Sequence, residues 1–280
     1  MSIEEVISTW INQFKKISTS PYLDIEVLLS FVLQKERTFL KAYPETQLTL
    51  VEYNQLEILI NRALQGEPIA YLINKQAFWD FELYVDSSVL IPRSDSEILV
   101  EAVLETYPDK NDTKTLIDLG CGSGALALAI AKERKNFLVL ATDISLKALS
   151  ITQKNCQHLG LDNVSLFASD WFSAVTQSMH FDIIIANPPY IDRSDQAVEA
   201  NVKKYEPHHA LYSKNNGLED LFAIIKQSKN YLKPQGSIFL EHGYLQDQII
   251  REKLCDEEFC HVKTYPDLGG LPRVSFGKIT

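Results

Sequence analysis

From Thr115 onward the chain alternates short apolar runs with amphipathic segments of helical period, as in LIDLG followed by GALALAIAKE and FLVLATD followed by SLKALSITQKNCQHLG. Strands that alternate with helices predict a doubly wound, mostly parallel α/β sheet. The last two runs, HVKTY and RVSFGKI, flank a Gly-Gly-Leu-Pro turn and predict an antiparallel pair. Ligands of such sheets bind at the carboxyl ends of the strands, so functional residues are expected where each run ends.

The N-terminal part of the chain shows helical periodicity only. Ser2 with Glu5, and Thr49 with Glu52, each form the pattern of a capping box at the start of a helix. A run rich in aromatic and β-branched residues, AFWDFELYVDSSVLI, then ends at Pro92 and predicts a β-hairpin. We therefore predict an N-terminal helical bundle over residues 1–73, a β-hairpin linker over 74–92 and a catalytic domain over 93–280.

Composition excludes several classes of protein. The net charge of the 280 residues is -10, which disfavours non-specific binding to nucleic acid, because phosphate contacts need clustered Lys and Arg. No basic segment followed by an apolar run opens the sequence, and no apolar stretch is long enough to span a membrane. The four cysteines are scattered and form no metal-binding pair. We expect a monomeric cytoplasmic protein without a metal site.

The first apolar run of the sheet ends in a glycine-rich turn, which is a candidate site for a cofactor. Its glycines allow sharp turns and a close approach of a ligand to the backbone. Nicotinamide and flavin enzymes use related turns, but the spacing here is G-x-G-x-G, and the carboxylate before it suits a cationic group better than a pyrophosphate. The candidate residues are Asp118, Gly120, Cys121, Gly122, Ser123 and Gly124.

Two further strands also end in acidic residues. Asp143 follows the second strand, where a carboxylate is placed to accept hydrogen bonds from ribose hydroxyls. Asp170 and Trp171 follow the third, where a carboxylate and an indole face could hold an adenine ring. Taken singly, each acid is more simply interpreted as a helix N-cap. Three acids at one rim beside a glycine turn favour the cofactor interpretation.

The fourth strand ends in Asn187-Pro188-Pro189-Tyr190, which we interpret as the site of chemistry. An amide nitrogen is a poor nucleophile, but the Asn187 side-chain oxygen and the Pro188 carbonyl could accept its two N–H bonds. Pro189 lacks an N–H that would compete for acceptors, and Tyr190 offers a face for stacking. The alternative is a proline-rich strand exit, which does not explain a polar side chain at this point.

These stretches together resemble the PrmC/HemK family of release factor glutamine methyltransferases. NPPY after the fourth strand is shared by methyltransferases that act on amino groups of planar systems. More specific are VLIPRSDSEILVE before the glycine turn and YEPHHALY after NPPY, together with the NGLE and LEHGY runs. Ser94 and Ser96 stand where the family usually has Pro and Thr. The resemblance covers nearly the whole chain in order.

The resemblance implies a Rossmann-like sheet, dependent on S-adenosylmethionine, joined by the hairpin to the small all-helical domain. It implies that residues 120–124, Asp143, Trp171 and Asn187 bind this cofactor, which leaves as S-adenosylhomocysteine. It further implies that Asn187 to Tyr190 hold the glutamine of the Gly-Gly-Gln motif in class-1 peptide-chain release factors. The helical domain would help to recognise the factor.

Three alternatives stay open at this point. The nearest is glutamine methylation of a ribosomal protein, which uses the same motif. A nucleic-acid base methyltransferase is less compatible with the acidic charge, since it must flip or splay its base and usually has a basic surface. A non-catalytic binding module would be expected to have lost NPPY or the glycine turn.

Overall fold

The computed structural model describes residues 1–196 and 198–280, which divide into two compact units. The first unit consists of Met1–Lys75 together with Ala200–Tyr205, and the second of Gln76–Glu199 together with Glu206–Thr280. The helices are α1 (Ile3–Phe14), α2 (Pro21–Leu33), α3 (Arg37–Ala42), α4 (Leu50–Leu64), α5 (Ile69–Ile73), α6 (Glu97–Thr106), α7 (Ala125–Glu133), α8 (Leu146–Leu159), α9 (Ala200–Tyr205), α10 (Lys214–Gly217), α11 (Glu219–Ser228) and α12 (Asp247–Asp256). The strands are β1 (Gln76–Phe78), β2 (Phe81–Leu83), β3 (Thr115–Leu119), β4 (Leu138–Asp143), β5 (Val164–Ala168), β6 (Phe181–Ala186), β7 (Ile191–Asp192), β8 (Tyr212–Ser213), β9 (Leu232–Glu241), β10 (Cys260–Pro266) and β11 (Pro272–Lys278).

The first unit is built from helices whose starts the sequence marks. Both predicted capping boxes are formed, at Ser2 for α1 and at Thr49 for α4. Helix α2 buries an apolar face made of Ile25, Leu28, Leu29 and Val32, and the short helices α3 and α5 complete the bundle without having been predicted. Helix α9 belongs to this unit although it follows NPPY in the chain. A Cβ on Gly66 would lie 2.1 Å from Asn201 Oδ1, so Gly66 allows α9 to pack closely.

The second unit is organised around a seven-stranded sheet in the order β10-β11-β9-β6-β3-β4-β5. Strands β9, β6, β3, β4 and β5 are mutually parallel, whereas β11 pairs antiparallel with both β9 and β10. The predicted doubly wound sheet and the terminal antiparallel pair are therefore confirmed. Strand β3 lies between β4 and β6, so the chain leaves β3 and β6 in different directions. A crevice opens at such a reversal of strand order.

The core of the sheet is made by its central strands and the helices that cover them. Ile117 of β3, Ile184 of β6 and Ile238 of β9 are fully buried in one apolar cluster with Leu221 and Ile225 of α11. Burial on both faces explains why these strands are continuous apolar runs rather than alternating ones. This rigid core fixes the positions of the loops at the carboxyl ends.

The hairpin and the segment after it differ in detail from the prediction. Strands β1 and β2 pair antiparallel as the predicted hairpin, but they are short, and Val85 lies beyond the end of β2 and is buried. After the hairpin, a 3-10 turn over Ser94–Ser96 continues into α6. None of the helices in the described residues is both long and apolar enough to cross a membrane.

Candidate active site

A cavity of about 360 Å³ lies at the carboxyl ends of the parallel strands. This volume falls in the range of small-molecule sites, which is roughly 300–1,000 Å³. Most of the residues predicted from the sequence meet here, although they come from four separate strands. The predicted residues that line the cavity are Asp118, Gly120, Cys121, Gly122, Ser123, Asp143, Asp170, Trp171, Asn187, Pro188 and Pro189.

Two predicted site residues are not among those that line the cavity. Gly124 is the N-cap residue of α7 and is packed against α8, where a Cβ would lie 2.7 Å from Thr152 Cγ2. Its positive φ of 86° and this crowding both require glycine, so its part in the site is to shape the turn. Tyr190 turns its hydroxyl to Glu241 Oε1 at 3.2 Å. The structure does not place its ring as a stacking face of the cavity.

The glycine turn is tied to the end of β4. The N–H groups of Gly120 and Cys121 both donate to the Thr142 carbonyl at 2.8 Å, and the Gly122 N–H donates to Asp143 Oδ2 at 2.9 Å. The Thr152 hydroxyl donates to the Gly122 carbonyl at 2.8 Å. These bonds hold the turn in one conformation, so the binding loop is already ordered before a ligand binds.

Asp118 is the most unusual group of the cavity. Its side chain is 1% exposed, and neither carboxyl oxygen has a hydrogen-bond partner within the described residues. Burial raises its pKa to about 7; the charge of Asp143 adds to the rise, and the nearby N–H of Ala127 partly offsets it. A buried carboxylate without a partner is costly, whereas one beside a cation is stabilised. The residue therefore fits the positively charged part of S-adenosylmethionine.

Asp143 is also buried, but its oxygens are partly occupied. Oδ2 accepts from the Gly122 N–H, and Oδ1 accepts from the Ser145 N–H at 2.8 Å. The N-cap of α8 is Ser145, whose Oγ accepts from the Ala148 N–H, so the N-cap alternative is wrong for Asp143. Each carboxylate oxygen keeps a second lone pair, and both remain able to accept from a ribose hydroxyl.

Trp171 connects two parts of the cavity wall. Its indole Nε1 donates to Asp220 Oδ1 at 3.3 Å, and its ring lies against Gly120, where a Cβ would be 3.2 Å from the ring. The residue has a positive φ of 44°. Asp170, directly before it, is exposed at the rim of the same cavity.

The NPPY segment is held from both sides. Asn187 Nδ2 donates to Ser96 Oγ at 3.2 Å, which leaves its side-chain oxygen as an acceptor. The Tyr190 carbonyl accepts from Gln246 Nε2 at 3.0 Å. Gly217 packs against the same carbonyl so closely that a Cβ would lie 2.0 Å from its oxygen. A loop fixed in this way can hold a substrate group in one orientation.

Sequence reasoning missed several residues of the cavity wall, above all Arg93 and Ser96. Arg93 Nη2 forms an ion pair with the buried Glu206 Oε1 at 2.6 Å, and Glu206 Oε2 accepts from the Ile91 N–H at 3.2 Å. These residues belong to the IPR and EP-x-x-AL stretches, whose opposite charges were a signal that they pair. Within the described residues, no group of three or more His, Cys, Asp and Glu could hold a metal ion.

Comparison with family models matches both parts of the chain. Residues 5–73 match the PrmC N-terminal domain, and residues 94–205 match the Methyltransferase small domain. The two matched regions do not overlap.

Comparison with individual proteins gives full-length relatives. The chain is 40% identical over 280 residues to a release factor glutamine methyltransferase of Salmonella typhimurium, covering 100% of both proteins. It is 43% identical over 261 residues to the protein of the same name from Yersinia pestis, covering 93% of each. Among solved structures, it resembles a 16S rRNA N2 G1207 methyltransferase of T. Thermophilus in complex with AdoMet and guanosine, with a TM-score of 0.53 at 21% identity over 74% of this chain and 50% of that one. This last likeness concerns the fold.

Proposed function

The chain belongs to the family of release factor glutamine methyltransferases, and we propose that it methylates the glutamine of the Gly-Gly-Gln motif in peptide-chain release factors. The methyl group would pass from S-adenosylmethionine to the side-chain amide nitrogen, N5, and the modification would support translation termination. The proposal depends on one cavity that contains the glycine turn, the Asn187 amide fixed by Ser96 and the Asp118 carboxyl, which has no hydrogen-bond partner among the described residues.

The cofactor is S-adenosylmethionine, which supplies an electrophilic methyl group when bound. We propose that the turn from Gly120 to Gly124 lets the cofactor approach the backbone closely. Asp118 is proposed to bind the cationic part of the cofactor. Asp143 is proposed to accept from the ribose hydroxyls, and Asp170 with Trp171 to hold the adenine. Because the indole N–H of Trp171 already donates a hydrogen bond, we propose that the ligand contacts the face of its ring. Asp170 is exposed and therefore accessible to the ligand.

We assign the target amide to Asn187, Pro188 and Pro189. The Asn187 side-chain oxygen and the Pro188 carbonyl would accept the two N–H bonds of the substrate amide, as each acceptor has a lone pair to offer. Pro189 adds stiffness without adding a donor. The rate enhancement would come from orientation and electrostatics, because the amide nitrogen is held in line with the methyl group before the reaction. Tyr190 is proposed to act through the loop, since its hydroxyl is engaged with Glu241.

The helical N-terminal domain, over residues 1–73, is proposed to recognise the release factor. Residues 74–92 would then serve as a hairpin linker and 93–280 as the catalytic domain. The match of residues 5–73 to the PrmC N-terminal domain supports a dedicated role for this part. The acidic net charge of -10 supports a protein rather than a nucleic-acid partner. We also propose that the enzyme acts as a monomer in the cytoplasm, away from membranes.

The decisive experiment is transfer of labelled methyl groups to purified candidate substrates, followed by mass mapping of the modified residue. Intact release factor should be labelled on the glutamine of its Gly-Gly-Gln motif. A release factor with that glutamine changed to Ala is the matched control and should stay unlabelled. Labelling of this control, or of purified ribosomal protein or RNA in its place, would reject the proposed substrate.

A further inference from the structure

Trp171 lines the cavity from an uncommon backbone conformation. Its φ of 44° lies in the left-handed region, where a bulky side chain is rare and strained. The Trp171 carbonyl accepts from the Ser169 hydroxyl at 2.7 Å, which fixes the backbone but leaves the torsions of the side chain free. The orientation of the indole therefore depends on the groups that contact its ring and its N–H.

The indole of Trp171 is held at opposite ends. At one end, its Nε1–H donates to Oδ1 of Asp220, in the first turn of α11, at 3.3 Å. At the other end, a Cβ on Gly120 would lie 3.2 Å from Cζ3 of the six-membered ring. Asp220 and Gly120 both line the cavity with Trp171. The hydrogen bond to Asp220 and the contact with the glycine turn together set the direction of the ring.

The Asp220 carboxylate is itself oriented by Ser213. The Ser213 hydroxyl donates to Asp220 Oδ2, and its Oγ accepts from the Asp220 N–H at 3.2 Å. Each carboxylate oxygen thus has its own donor, so a rotation of the side chain would break both bonds. Ser213 is 4% exposed, and its strand β8 pairs with β7, which follows NPPY directly in the chain. The acceptor of the indole N–H is therefore anchored in the core of this unit.

We propose that Asp220 and Ser213 are positioning residues, which hold the Trp171 ring over the glycine turn as one wall of the adenine site. An indole has a single donor and no acceptor, so the placing of its acceptor decides the plane of the ring. A ring that is held in place before the cofactor arrives loses less side-chain freedom on binding, which raises the affinity. The inference rests on the proposed function only in the contact of Trp171 with the cofactor, and the protein substrate does not enter it.

The test measures the affinity of the full-length enzyme for S-adenosylmethionine by calorimetry, without release factor. Asp220→Ala removes the acceptor and should weaken binding about three- to tenfold, the cost of ordering one side chain. At saturating cofactor, its kcat on release factor should stay close to wild type while KM for S-adenosylmethionine rises. A fall in kcat with an unchanged KM would overturn the proposal.

Asp220→Asn separates positioning from charge. Its side-chain oxygen can still accept from the indole, and its NH₂ group can donate to Ser213 Oγ, so the affinity should stay within about twofold of wild type. If Asp220→Asn bound as weakly as Asp220→Ala, the charge of Asp220 would act on the cationic cofactor directly, and the positioning role would be wrong. The matched control is Glu219→Ala, which removes an exposed acid from the same turn of α11 and should bind as wild type does.

Trp171→Phe breaks the same hydrogen bond from its other end, which keeps the test open if Asp220→Ala is unstable. It keeps an aromatic face, lacks the N–H and should also bind S-adenosylmethionine more weakly than wild type. Adding Asp220→Ala to Trp171→Phe should weaken binding no further, because the carboxylate acts through the N–H. Wild-type affinity in Trp171→Phe, or additive losses in the double variant, would contradict the proposal.

A spectroscopic readout reports the contact itself. The chain has three tryptophans, so the unliganded protein labelled with ¹⁵N-tryptophan should give three indole N–H signals, and the one missing in Trp171→Phe belongs to Trp171. That signal should shift in Asp220→Ala and stay in place in Glu219→Ala. An unmoved signal in Asp220→Ala would refute the positioning role. If signals and affinities behave as expected but release factor stays unlabelled, the proposed substrate fails while the positioning role stands.

Discussion

Asp118→Asn should make the unliganded protein more stable at pH 8 while weakening its binding of S-adenosylmethionine. The carboxyl of Asp118 is buried without a hydrogen-bond partner among the described residues, and its pKa is raised to about 7 by burial. Asn is nearly isosteric with a protonated Asp and has no charge to bury. The substitution therefore removes the cost of ionisation and keeps the shape of the side chain.

The magnitude follows from the pKa. A rise from 3.8 to about 7 is about 3 units, and at about 1.4 kcal/mol per unit this is about 4 kcal/mol. Because the folded-state pKa is raised, the stability of wild type is fully present below pH 3.8 and is lost as pH rises through about 7. The variant has no such loss. Its advantage in free energy of unfolding should thus grow from under about 2 kcal/mol at pH 5 to about 4 kcal/mol at pH 8.

The assay is thermal unfolding of both proteins between pH 5 and pH 8. One kcal/mol shifts Tm by about 2–4 °C for a domain near this size, so a gap of at least about 5 °C is expected at pH 8. At the same excess concentration, S-adenosylmethionine should raise Tm of wild type far more than that of the variant, since a ligand that binds only the folded protein stabilises it by RT ln(1 + [L]/Kd). Wild type should also release a proton on binding near pH 7.

The control is Asp170→Asn, which removes an acid of the same cavity that is exposed. Because this side chain is exposed, the substitution should change Tm little. The interpretation of Asp118 is refuted if Asp118→Asn is no more stable than wild type at pH 8. It is also refuted if the variant binds S-adenosylmethionine as tightly as wild type.

Three further changes test other parts of the site. Asn187→Ala should lower kcat on the order of 100-fold, because it deletes an acceptor for the reacting amide. Near wild-type turnover would contradict that role. The affinity of the variant for the cofactor is measured separately. Asp143→Ala should weaken binding of S-adenosylmethionine by roughly 1–3 kcal/mol in calorimetry, and an unchanged affinity would mean that the ribose lies elsewhere. Glu206→Gln should lower the free energy of unfolding by roughly 1–3 kcal/mol through the loss of the Arg93 ion pair. In denaturant titration, an unchanged midpoint would show that the pair contributes little.

The sequence allowed the sheet and much of the cavity wall to be predicted, and there is a physical reason for this. Strand and helix periods differ, so the alternation of LIDLG, FLVLATD and FDIIIA with helical segments indicates the parallel sheet. Parallel strands end at one edge, so residues that follow them meet even when they are far apart in the chain. Asp118, Asp143 and Asn187 all line the same cavity for this reason.

The remaining features depend on tertiary contacts that leave no local pattern. Ser96 and Asn187 are 91 residues apart, and nothing in the sequence near either residue predicts their hydrogen bond. Strands β7 and β8 have two residues each, which is too short for a periodicity. The grouping of α9 with the N-terminal helices involves its packing against Gly66, which lies far from it in the chain. That Asp118 has no hydrogen-bond partner among the described residues likewise depends on tertiary packing rather than on its sequence neighbours.

Two buried acids, Asp118 and Glu241, thus lie in this unit with at least one oxygen each that lacks a partner among the described residues. Folding alone favours neutral groups at such positions, so each is expected to serve a use outside stability. Their surroundings separate the two uses. Asp118 lines the cavity, where we propose that it pairs with the cationic part of the cofactor, whereas Glu241 accepts from the Tyr190 hydroxyl and is not among the residues that line the cavity. Neutralising Asp118 should therefore weaken cofactor binding, whereas neutralising Glu241 should leave cofactor binding intact. If both variants changed the same quantity, the two acids would form one electrostatic unit, and the division of the site into a cofactor half and an amide half would be wrong.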